Sequence, residues 1–360
     1  MRLKIISLPI IATLWGLNAS ATDVAGLTVK GEASFDYNFL SSGENTYPAV
    51  GGALNEQYRF NQAQLQLTKE TDELSFLARL NYQPTSYQTT AGTSQANIGT
   101  LDQLELYYKF TPTFSVGFGR LCSTLGFESL LKSENVFYSN SVSYQTILPG
   151  YGEGLRARYN PGEWLTVSLS TYNRSTYNLF GDDYTTTKTT EASATGVAGR
   201  FLWFAGYQWG TDGDGTAPNP KVDKSSGNVW TTYKFSDDFL FTASYDNRTR
   251  KQDGSTMNYT QSVLGQLSYA FQWHTLGLRY EALLGAGELD ALNGLSTPTY
   301  YRGADKVQVW SVVDKFNLSE HFNLYVEYRH DGADQAVLTN SKGDATKELH
   351  MITLGALAYF

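Results

Sequence analysis

From Leu27 to Phe39 apolar and polar residues take turns without a miss. Leu27, Val29, Gly31, Ala33, Phe35, Tyr37 and Phe39 share one parity; Thr28, Lys30, Glu32, Ser34, Asp36 and Asn38 share the other. Successive side chains of a strand point to opposite faces, so the segment predicts a strand with one apolar and one charged face. Its thirteen residues exceed the roughly five or six of an ordinary strand. They suit a tilted strand crossing a bilayer, which takes about 9–11.

The same alternation returns at 58–69, 74–82, 104–110, 114–118, 155–159, 165–169, 197–201, 205–209, 229–235, 239–245, 263–271, 276–282, 307–316, 322–328 and 348–360. Short turns such as Glu70-Thr71-Asp72-Glu73 and Ser236-Asp237-Asp238 alternate with long connections rich in Gly, Asn, Asp and Thr. That asymmetry predicts short periplasmic turns and long extracellular loops. Keeping every short turn on one side demands a turn inside 197–209, placed at Leu202-Trp203-Phe204. The expected fold is therefore all-β: a transmembrane antiparallel barrel of about sixteen strands, with fourteen or eighteen as alternatives. Barrels of this size enclose a water channel.

Shifting 155–159 by one residue would turn Arg156 and Arg158 into hydrocarbon, at about 2–4 kcal/mol each near the midplane. Backbone groups at that depth must all be paired, so the sheet has to close on itself. A soluble sandwich would need Lys30, Glu32, Asp36, Arg79, Arg156, Arg158, Arg200 and Arg279 on its outer face, and sandwiches rarely use strands this long throughout.

The N-terminus adds an export signal. Arg2 and Lys4 precede the short apolar run 5–17 and the small residues Ala19-Ser20-Ala21, a pattern that predicts a cleaved signal peptide over 1–21 and a single barrel domain over 22–360. No cysteine follows that run, so a lipid anchor there is not expected. The lone Cys122 allows no internal disulfide. Charged residues are only 17%, against 25 Tyr, 19 Phe and 7 Trp. The bland mean hydropathy of −0.34 is what averaging a lipid face with a wet lumen produces. A net charge of −8 argues against a nucleic-acid partner.

Around the longest connection stand Gly119-Arg120, Thr124, Gly126-Phe127-Glu128, Asn135, Tyr138-Ser139, Pro149, Gly154 and Arg156. Leu278-Arg279-Tyr280-Glu281 forms a second, looser group. Together they resemble the OmpL-like β-barrel porin family of Gram-negative outer membranes. Ile352, Leu354, Ala356, Ala358 and Phe360 resemble the C-terminal assembly signal of outer-membrane barrels. The resemblance implies a pore-forming barrel in outer-membrane lipid, inserted by the barrel-assembly machinery through Phe360, of poorly defined substrate range. It also implies that 121–150, the third long loop, folds inward and narrows the pore. That loop carries Glu128, Lys132 and Glu134, and the opposite wall would supply Arg79, Arg156, Arg158, Arg200, Arg279 and Arg329. Carboxylates facing guanidinium groups across a gap would create a transverse field favouring polar solutes. Lys30, Lys109, Lys234 and Arg248 also count as lumenal, against Glu32, Asp36, Glu105, Asp246, Glu281, Asp314 and Glu327. That near balance leaves anion and cation preference open.

The expected function is passive diffusion of small hydrophilic solutes and ions. A barrel plugged by its third loop, serving structure or adhesion, is the alternative. An outer-membrane hydrolase using His330 and Asp331 is a further one, but no nucleophile stands out. No cofactor is expected. Asp212-Gly213-Asp214-Gly215 hints at Ca²⁺ but lacks the remaining ligand spacing. Sixteen-stranded porins usually trimerise, yet nothing in the sequence marks a homotrimer interface.

Overall fold

The computed structural model describes residues 22–24, 26–41, 56, 58–82, 87–88, 94–95, 100–173, 187–212, 221–252, 255–285, 301, 304–339 and 344–360. The expected signal peptide, 1–21, and positions 213–215 of the acidic loop lie outside the described residues.

Sixteen strands form the barrel: β1 (Leu27–Leu40), β2 (Tyr58–Glu70), β3 (Leu74–Tyr82), β4 (Thr100–Thr111), β5 (Phe114–Cys122), β6 (Tyr151–Gly162), β7 (Leu165–Tyr172), β8 (Thr189–Ala198), β9 (Phe201–Asp212), β10 (Val222–Lys234), β11 (Phe239–Gln252), β12 (Ser255–Phe271), β13 (His274–Leu284), β14 (Lys306–Ser319), β15 (Phe322–Ala333) and β16 (Glu348–Tyr359). Each pairs antiparallel with its neighbours in sequence, and β16 pairs with β1 from Glu32–Tyr359 to Leu40–Met351. Reciprocal backbone bonds of 2.9 Å between Gly31 and Phe360 finish the seam. A Cβ on Gly31 would lie 2.4 Å from Cζ of Phe360, so the terminal ring rests where only glycine leaves room.

One expectation about the turns is corrected. The turn in the 197–209 region falls at Gly199-Arg200, not at Leu202-Trp203-Phe204. Gly199 supplies the left-handed φ of 61° that a two-residue connection requires, and Leu202 and Phe204 continue the alternation as buried lumenal residues. β11 and β12 also run well past the alternation read at 239–245 and 263–271, forming a long hairpin whose cross-strand pairs run out to Gln252 and Ser255.

On the outside, Leu80, Leu104, Leu169, Val263, Leu278, Val312, Val326 and Leu354 are exposed and form the belt that meets hydrocarbon. Along the short-turn rim, Phe201, Tyr233, Phe235, Phe239, Tyr269 and Phe271 contact one another in sequence, with centroids 4.6–6.2 Å apart. Such amphipathic girdles mark the two membrane interfaces.

Among the described residues, the third loop packs on the wall through two apolar clusters, one of them joining Leu125 and Leu148 to lumenal Leu202, Phe204 and Trp230. Lumenal Val307, Val309, Val313, Tyr325, Leu349, Met351 and Leu357 pack with Val136, Phe137, Tyr138, Val142 and Ile147 of the third loop. Fully burying such a side chain contributes about 1.5–3 kcal/mol. A dry core inside the barrel was not expected from the sequence.

Candidate functional site

The segment 123–150 joins β5 to β6 and turns back into the barrel. It contains a 3₁₀ turn, Lys132–Glu134, and one short helix, α1 (Val142–Thr146), whose N-cap Ser141 accepts the Tyr144 amide at 3.2 Å. Turns of this kind leave consecutive backbone N–H groups without internal partners. Wall carboxylates, each with two oxygens, accept them in pairs. Glu32 of β1 takes the amides of Lys132 and Ser133 at 2.9 and 3.1 Å. Glu327 of β15 takes those of Tyr138 and Ser139 at 2.8 and 3.0 Å, and the Ser139 hydroxyl. Glu281 of β13 takes those of Val142 and Ser143, both at 2.8 Å. Glu191 of β8 accepts the Thr124 amide at 2.9 Å and the Ser123 hydroxyl at 2.6 Å.

Wall cations bind loop carbonyls in the complementary way. Lys315 donates to Ser133 and Asn135 at 3.3 and 3.2 Å, Arg279 to Ser139 at 2.9 Å and Arg329 to Asn140 at 3.2 Å. Two lumenal glycines make room for the loop's side chains: a Cβ on Gly355 would lie 2.6 Å from the Tyr138 ring, and one on Gly277 2.9 Å from Val136 and Phe137.

The expected site residues divide into three groups. Glu128 and Arg279 touch directly, with 3.0 Å between Nη1 and Oε1, instead of facing each other across a gap. Ser141 donates both its amide and its hydroxyl to Glu128. Burial pushes the Glu128 carboxyl up and the Lys132 ammonium down, while Arg279 and Asp36 respectively pull the other way. Arg329 pairs with Asp331 at 2.9 Å and is wholly buried, so it belongs to the filled sector. Arg156 is also buried, bonded to Tyr172 and Ser170 and 3.6 Å from Glu191. These side chains hold the loop or the wall.

A second group holds the side chains that keep partial exposure. Arg158, 3.4 Å from Glu105 and with its guanidinium 4.0 Å from the Tyr107 ring centroid, keeps 15% of its side chain exposed. Lys30 keeps 21% and pairs with Glu134 at 3.3 Å. Lys132 lies over the Tyr138 ring at 4.4 Å and donates to the Tyr138 carbonyl. Arg79, by contrast, is buried and donates to the Tyr151 hydroxyl at 2.8 Å. Lumenal Gln62, Gln66, Thr68, Ser75, Leu77 and Asn81 on β2 and β3 are half-buried, with Gln64 and Arg79 buried among them, whereas lumenal positions through the middle of β13 to β16 are all buried.

The remaining residues move. Arg200, expected on the inner wall, sits in the turn after β8, donates to the Phe235 carbonyl and borders a cleft at the short-turn end with Lys234 and Trp230. Asp314, read as lumenal, pairs with His274 outside at 3.1 Å; its neighbour Lys315 points inward instead. His330 and Asp331 cannot act together, since adjacent strand residues face opposite ways: Asp331 joins Arg329 and Tyr301 inside, and His330 contacts His350 outside. The sequence reading missed Glu191 as an anchor because the Thr/Ser/Ala composition of 189–198 hid its alternation.

The fold is that of sixteen-stranded porins. Salmonella typhi OmpF, solved with daunomycin, superposes with a TM-score of 0.62 at 14% identity, covering 94% of this chain and 100% of that one. The anion-selective porin of Comamonas acidovorans gives 0.63 at 11% identity, over 93% and 99%. The DcaP channel of Acinetobacter baumannii gives 0.60 at 16% identity, over 94% and 99%. No curated protein matches the sequence. The family model described as "Putative beta-barrel porin-2, OmpL-like" matches residues 25–360, and the chain belongs to that family of bacterial outer-membrane barrels.

Proposed function

We propose that this barrel passes small hydrophilic solutes and ions by passive diffusion along its wet sector, and that the third loop sets the width of that path. The supporting observation is the division of the lumen: half-buried polar side chains recur along β2 and β3, while the loop is anchored to β1, β8, β10 and β13 to β15. Lys132 on the loop and Lys30 and Arg158 on the wall border the path and meet the solute, with Glu134 holding Lys30 in place; Arg279, Arg329, Arg156 and Glu128 keep the loop in place. The chain acts as a channel, not an enzyme. Residues 1–21 direct export, and the barrel-assembly machinery reads the terminal Phe360. A homotrimer fits the reading, since one related structure is a trimer form of Vibrio cholerae OmpT.

Purified protein in planar bilayers is expected to insert in discrete conductance steps, and its vesicles to swell in isotonic sugar. Folded barrels that neither conduct nor swell would refute diffusion. They would support the second reading, a plugged structural barrel, which the dry core between loop and wall favours.

A further inference from the structure

We propose that His330, Glu348 and His350 form a cell-surface site for a first-row divalent transition metal such as Zn²⁺ or Cu²⁺. The β15–β16 register sets His330 directly opposite His350, with ring centroids 4.8 Å apart. Glu348 lies two residues before His350, on the same outer face, and its Oε2 is 4.0 Å from Nε2 of His350. One ligand atom from each of the three residues falls within 4.8 Å of the others. Metal–ligand bonds of about 2.0–2.2 Å in a tetrahedral site put ligand atoms about 3.3–3.6 Å apart. Small side-chain rotations close that difference.

The second shell is already in place. The Tyr328 hydroxyl sits 2.8 Å from Nδ1 of His350, fixing the ring and leaving Nε2 for the metal. The side chains of His350 and Glu348 are 46% and 65% exposed, so an ion reaches them from water. Ser41, where the first long loop begins, accepts the His350 amide, which locates the site at the extracellular end. Two imidazoles and one carboxylate suit Zn²⁺, Cu²⁺ or Ni²⁺ over Mg²⁺ or Ca²⁺. Three protein ligands leave one position for water or a captured solute.

The test is titration of chelator-treated, folded full-length protein with Cu²⁺ and Zn²⁺, followed by calorimetry and, for Cu²⁺, electron paramagnetic resonance. The expected result is one ion per chain, with hyperfine structure from two nitrogens. His330→Ala and His350→Gln are expected to weaken binding by about tenfold or more, and Tyr328→Phe by a smaller factor. His321→Ala is expected to bind as the parent does. Heat-modifiable migration on gels verifies that each variant is folded, and the spectrum of the unaltered protein reads the ligands without any substitution. No saturable binding, a spectrum without two nitrogens, or unchanged affinity in His330→Ala would overturn the site.

Discussion

Replacing Glu327 by Gln removes one negative charge from the centre of the loop's anchorage. The native carboxylate accepts the amides of Tyr138 and Ser139 at 2.8 and 3.0 Å and the Ser139 hydroxyl, and it lies 3.8 Å from Arg279. A carboxamide has a single acceptor oxygen, and its NH₂ group would face other donors, so about two of these bonds are lost. Hydrogen bonds to a charged group contribute about 1.5–3 kcal/mol each, which weakens docking of this part of the loop by about 3–6 kcal/mol. At about 1.4 kcal/mol per factor of ten, local opening becomes roughly 10²–10⁴ times more frequent. Glu32, Glu281 and Glu191 still hold other parts of the loop, so the effect centres on 136–141. Hydrogen–deuterium exchange read by mass spectrometry is expected to accelerate by that factor in peptides covering 136–141, with β10 and β11 unchanged. Exchange over 136–141 equal to that of the parent, in a folded barrel, would refute the view that paired carboxylates pin the loop.

Arg158→Glu reverses a charge on the open sector and is expected to move the reversal potential in a salt gradient toward cations; an unchanged potential would take Arg158 off the conduction path. Gly31→Val places methyl groups where the Phe360 ring lies, so the seam fails to close and the heat-modifiable folded band is expected to diminish, whereas normal yield would show that the ring's seat is dispensable. Val326→Arg, on the exposed outer belt, is expected to cost about 2–4 kcal/mol if the residue lies near the midplane, measured by denaturant titration in lipid vesicles. An equal cost for Gln66→Arg would contradict the assignment of faces.

Alternation by itself indicated where most strands lie and which of their faces meets lipid, and put their number near sixteen. The period of two is a local property, and moving Arg156 and Arg158 into hydrocarbon is too costly to tolerate a slipped register. Closure followed from the same reasoning, because an open edge cannot exist in a bilayer. Only the tertiary structure decided what fills the barrel. Ser133 meets Glu32 across 101 positions of sequence and Ser139 meets Glu327 across 188, contacts that no local pattern encodes. Val307, Val309 and Val313 look inward while Trp310 and Val312 look out, so β14 is apolar on both faces and its pattern cannot separate a lumen filled with protein from one filled with lipid's counterpart, water. Most lumenal charges were legible as inward-facing, Arg200, Asp314 and Lys315 being the exceptions. Whether each meets a passing solute or a backbone amide depended on where the third loop came to rest.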